Sequence, residues 1–142
     1  MSNQRIIYST PDGGVAVVIP SGELPIEQVL AKDVPAGATG EIVEVTAIPA
    51  DRTFRNAWEK SGQSVVPNLE KSKAIAHDKR RAARAAEFAP HDEVISKQIP
   101  GASAEQAEAA RQVIRDKYEV MQAQMDAAQT VEELKALLPS EG

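Results

Sequence analysis

His77 and His91 are the only imidazoles in the chain, and each is followed directly by an aspartate, Asp78 and Asp92. An imidazole beside a carboxylate is the raw material of general acid–base catalysis or of a metal site. Neighbours at i and i+1 do not share a helix face, however, and a zinc site needs further ligands at fixed spacing. The chain has no cysteine, which removes thiolate ligands, thiol nucleophiles and disulfides together. No GxSxG, HExxH, P-loop or GxGxxG pattern occurs. The sequence therefore reads as that of a non-enzyme, with no catalytic residue, no cofactor and no metal expected.

The next residues with chemistry to offer are cations. Lys71, Lys73, Lys79, Arg80, Arg81 and Arg84 crowd one segment, interrupted by Asp78. A nucleic-acid surface gathers such charges on one face and interleaves aromatics. At the helical angle of about 100° per residue these six spread around the axis, and no aromatic lies among them. A basic helix contacting nucleic acid, as in a host-directed regulator, is the alternative reading. The favoured one is a solvated helix face, or one that pairs Arg80, Arg81 and Arg84 with acidic protein surface, because the charge of the chain is laid out in blocks: net −4 over 1–50, +3 over 51–102 and −4 over 103–142.

A third group could bind by shape. Ala107, Ile114, Met121 and Ala128 recur every seven residues, with Arg111, Tyr118 and Met125 interleaved. This is a heptad-like seam, able to receive a helix of another chain or to lie on a helix of its own. The terminal segment adds Val131, Leu134 and Leu138 on one face. Against this supply, the segment 69–88 offers mainly Leu69, Ile75 and Phe88 among alanines, which bury little area each. The expectation is an uncovered apolar face, with Ile114, Tyr118, Met121, Met125, Leu134 and Leu138 as partner-binding residues.

The elements that must hold these groups follow from punctuation and period. Arg5–Ser9 and Val15–Ile19 flank Pro11-Asp12-Gly13-Gly14, a tight-turn signal. Pro25 opens a short helix with Ile26, Val29 and Leu30 on one stripe, and Glu41–Thr46 alternates as a half-buried strand does. Residues 52–58 fit either a helix capped by Asp51 or a strand; strand is preferred, because a turn at 60–63 and a return at 64–66 follow. Phe54 and Trp58, two of five aromatics, are expected to be buried as structural anchors where the β part meets the helices. From Pro67 the pattern is helical, with Asn68 as a cap, helices near 69–88, 91–98, 103–129 and 131–138, breaks at Pro90 and Pro100-Gly101, and capping boxes at Ser103–Gln106 and Thr130–Glu133. The fold class is α+β: a β-rich module over 1–66, with a hairpin, further short strands and one helix, then a helical half over 67–142. At 142 residues, 42% hydrophobic and 4% aromatic, the core is expected to be thin. No stretch reaches the roughly 20 apolar residues of a membrane span, so no membrane insertion is expected.

Read in order, Asp12-Gly13-Gly14-Val15, then 31–37 (Ala-Lys-Asp-Val-Pro-Ala-Gly), then 51–58 (Asp-Arg-Thr-Phe-Arg-Asn-Ala-Trp), then a helix with His77, Arg81 and Arg84, resemble small tail-region proteins of tailed bacteriophages and prophages, grouped with tail-fibre assembly proteins. The resemblance covers about residues 5–88, and 51–58 is its most specific part. It implies a virion component or assembly factor with no catalytic residues, made in the bacterial host cytoplasm and destined for the tail. The partner it implies is a tail-fibre or baseplate protein, with self-association as a further option.

Overall fold

The computed structural model describes residues 3–98, 100–101 and 103–139. The chain divides into two compact units, residues 1–72 and 73–142. A β-rich first part is followed by a helical second part, the α+β arrangement expected.

In the first unit, β1 (Gln4–Ser9) lies at the centre of an antiparallel sheet in the order β2-β1-β3, with β2 at Val15–Val18 and β3 at Glu41–Glu44. The β1–β2 turn forms where Asp-Gly-Gly predicts it. Gly13 takes φ 86°, a region open to glycine at little cost, and Asp12 Oδ1 accepts from the Gly14 amide and from the Thr10 hydroxyl. Helix α1 (Ile26–Asp33) lies between β2 and β3 in sequence. Residues 45–47 form a 3-10 turn, so β3 is shorter than the expected strand.

Residues 52–57 are neither the expected strand nor a helix. Asp51 Oδ1 accepts from both the amide and the hydroxyl of Thr53, and a 3-10 turn follows at Arg55–Ala57. The aspartate side chain captures the local backbone donor and so competes with ladder pairing. The strand begins at the last residue of the string: β4 (Trp58–Ser61) pairs with β5 (Ser64–Pro67) around Gly62. Trp58 is 3% exposed and sits in this unit's own core with Ile7, Val15, Val43 and Val65, and Phe54 is buried as well.

Helix α2 runs from Leu69 to Lys97 and carries Pro90 inside it. The break expected at Pro90, between helices near 69–88 and 91–98, is absent. Proline removes one hydrogen bond and crowds the preceding turn, but here α3 (Ala104–Ala127) splints the joint. Arg111 of α3 lies over the Phe88 ring at 5.5 Å and places Nε 2.9 Å from Asp92 Oδ1, so one side chain holds residues on both sides of the proline. Ser103 caps α3 by accepting from Gln106 N. Thr130 caps α4 (Val131–Ala136) by accepting from Glu133 N, while Glu133 accepts from the Gln129 amide.

Candidate functional site

The seam on α3 is closed within the C-terminal unit. Ala107, Ile114, Tyr118, Met125, Ala128 and Leu134 are all buried, and Ile114 and Tyr118 form a cluster with Phe88 of α2, with Ala83 and Met121 at its edge. The expected uncovered face therefore does not exist at Ile114, Met125 and Leu134. Two physical reasons explain the difference. The helix α2 is longer than its proline suggested, and its Phe88 and Ala83 pack with Ile114, Tyr118 and Met121 of α3. An ion pair and a hydrogen bond across the same interface reinforce it: Lys117 Nζ lies 2.8 Å from Glu87 Oε1, and Lys73 Nζ donates to the Asp126 backbone carbonyl at 2.9 Å. The Tyr118 hydroxyl donates to Glu87 Oε2. The bonds from Lys117 and then Tyr118 hold the Glu87 carboxyl below its usual range, while burial and the Glu87 charge push the Tyr118 phenol up to about 12.

Tyr118, Met121 and Leu138 instead border a groove of about 640 Å³, together with Ala83, Glu87 and Lys117. The aliphatic residues left open on α3 are different ones, Val113 and Val120, 67% and 58% exposed.

The arginines behave differently from the apolar set. Arg80, Arg81 and Arg84 do come together, with Arg115 of α3, around a second cleft of about 500 Å³ that Tyr118, Glu119 and Gln122 complete. Arg81 is satisfied by Asp78 at 2.9 Å, and Arg115 by Glu108 at 3.0 Å. Arg84 stacks on Phe88 at 4.5 Å. Arg80 is 6% exposed and has no carboxylate within ion-pair distance among the described residues; its hydrogen bond runs from Nε to His77 Nδ1 at 3.2 Å. An arginine Nε–H can only donate, so His77 Nδ1 accepts and the ring is neutral there. The other nitrogen, Nε2, then donates to Asp126 Oδ1 at 2.8 Å. Burial, then the like charge of Arg81, draws Arg80 below the usual guanidinium value, and Asp126 opposes the shift. Sequence reasoning named the arginines, weighed His77 only as a catalytic or metal residue, and missed Asp126 and Arg115. The i, i+3 spacing of His77 and Arg80 was a usable signal for their hydrogen bond; Asp126 and Arg115 depend on how α3 registers against α2, which no local pattern encodes.

The first unit carries a groove of about 400 Å³ with Val17, Ile19, Val45, Ile48 and Trp58 in its lining and Arg5, Arg52 and Arg55 among its charges. Arg55 lies 4.6 Å over the Trp58 ring and donates to the Val15 carbonyl at 3.3 Å, and Arg52 lies 5.7 Å from the same ring. Neither Arg52 nor Arg55 has a carboxylate within ion-pair distance among the described residues. Ile19, 70% exposed, stands beside them. The string 51–58 thus supplies both the core anchor and the cationic wall of this groove. No protein-family model, curated protein or solved structure matches the chain. Among the described residues no three or more metal-ligating side chains converge, and no helix is long and apolar enough to cross a membrane.

Proposed function

We propose that this chain is a small tail-associated structural or fibre-assembly protein of a tailed bacteriophage or prophage, and that it works by binding a tail-fibre or baseplate protein. The observation that carries the reading is the position of the string 51–58. The residues that most resemble the tail-region proteins form an arginine-edged apolar groove around Trp58, with Ile19 open beside it. An apolar floor edged by the guanidinium groups of Arg52 and Arg55 suits a partner segment that combines aliphatic and acidic side chains. The basic run of α2 is a poorer nucleic-acid surface than its composition suggests. Lys71 is engaged by Glu59 and the Gly13 carbonyl, Lys73 by the Asp126 carbonyl and Arg81 by Asp78.

The test is co-expression with the fibre protein of the same phage genome, followed by co-purification, and mass spectrometry of purified virions. The reading expects a complex that Arg52→Glu and Ile19→Asp each abolish while the monomer spectrum stays native. A chain absent from virions and without effect on fibre attachment would refute it.

A further inference from the structure

We propose that the cleft between α2 and α3 is a second binding site, for a carboxylate-bearing protein segment, with Arg80 and Arg84 as the receiving groups. Three features of the cleft argue for it. Arg80 is a charge more than nine-tenths buried with no carboxylate in ion-pair range among the described residues; the carboxylate that attracts it, Asp126, is bonded to His77. Burying an uncompensated ion is costly, and it persists where a partner compensates it. Its geometry is also fixed from behind. Asp126 holds His77 in one tautomer, and His77 takes the Arg80 Nε–H. Among the described residues no hydrogen bond engages the two Nη groups, the fork that grips a carboxylate. Finally, Arg84 contributes a second guanidinium, without a carboxylate in ion-pair range among the described residues and oriented by its stacking on Phe88.

The shape of the cleft favours a peptide over a single ion or a nucleic acid. At about 500 Å³ it exceeds what one tetrahedral oxyanion fills. Arg80 and Arg84 are one helical turn apart, roughly 6 Å along the axis. Side chains two apart on an extended segment are spaced by roughly 6.6 Å, so alternate acidic residues meet the two arginines in register. Nucleic acid would need an open aromatic for stacking, and Tyr118, the aromatic in the cleft wall, is 3% exposed with its hydroxyl held by Glu87. The net charge of −5 also denies any polyanion a general electrostatic attraction, so binding of one must come from a local site.

The experiment is fluorescence anisotropy of the full chain with labelled hexaglutamate, with a 20-nucleotide single-stranded DNA and inorganic phosphate as competitors. The expected result is saturable binding of the peptide, weaker as salt rises. Arg84→Gln should raise Kd about tenfold, as loss of one charge-assisted hydrogen-bond pair implies. Arg80→Gln should do the same or more. Arg84 is the variant that keeps the proposal testable if loss of the buried Arg80 disturbs folding, which circular dichroism checks. No saturable binding, a Kd unchanged in Arg84→Gln, or displacement of the peptide by DNA or phosphate at lower concentration than unlabelled peptide would each overturn the proposal.

Discussion

Replacing Trp58 by alanine should unfold much of the first unit. The side chain is 3% exposed and packs on Ile7, Val15, Val43 and Val65. A tryptophan buries about 150–250 Å², and at about 25 cal/mol per Å² its removal from water contributes roughly 4–6 kcal/mol as an upper bound. Truncations of buried tryptophan to alanine cost about 3–5 kcal/mol, and the Arg55 stacking at 4.6 Å adds about 0.5–1 kcal/mol. A unit of 72 residues commands about 4–11 kcal/mol in total, so the substitution removes between a third and all of it. The assay is urea and thermal unfolding followed at the Ile7 and Val43 amide resonances, which report on the sheet beside the ring. A fall of more than about 10 °C in the midpoint is expected. A fall of less than about 4 °C would mean that the indole is replaceable by its neighbours, and the argument for a core organised by the string 51–58 would fail.

Raised pKa values make a second, pH-dependent test. Tyr118 has its folded-state pKa raised from 10.0 to about 12, so its contribution is fully present below pH 10 and is lost as pH rises to about 12; Tyr118→Phe should flatten the loss of stability in that window, measured as midpoint against pH. Glu87 is shifted the other way by Lys117 and Tyr118, so its contribution is present above the normal glutamate pKa and disappears as pH falls through its lowered value, and Glu87→Gln should make acid unfolding less steep. Pro90→Ala should raise the thermal midpoint, since an interior proline costs up to about 3 kcal/mol relative to alanine; a lowered midpoint would show that the proline ring itself is needed. Ser103→Ala should cost about 1 kcal/mol through loss of the bond to Gln106 N, read by urea unfolding of α3.

The N-terminal hairpin was legible because its turn chemistry and its strands agree: Asp12 and Gly13 do locally what the pairing of Ile7 with Val17 requires globally. The caps at Asn68, Ser103 and Thr130 were legible for the same reason, each a side-chain acceptor placed just ahead of a helix. The segment 52–57 was not, because Phe54, Asn56 and Trp58 alternate like a strand while Asp51 and Thr53 satisfy the backbone within the segment. Alternation specifies which side chains are buried, and a 3-10 turn can bury Phe54 and Trp58 as well as a strand can. That Arg80, Arg81 and Arg84 gather in one place was legible from their spacing. The cleft they line was not, since Arg115 enters it from a helix some thirty positions further along.

The continuity of α2 through Pro90 also decides what covers the seam on α3. A helix ending near Phe88 leaves the N-terminal half of α3 without cover, and the apolar seam then looks like a docking face. Once α2 continues to Lys97, Asp92 reaches Arg111, and Arg111 over Phe88 closes the end of the seam. The apolar residues then become ordinary core, and what remains unexplained by folding is charge. Glu87, Glu108 and Asp126 are already committed to Lys117, to Arg115 and Arg111, and to His77. These three carboxylates are thus engaged elsewhere, and Arg80 and Arg84 are the cations of the cleft left without an ion-paired carboxylate within the described residues. A binding surface on this half of the chain is therefore to be sought at its two uncompensated arginines.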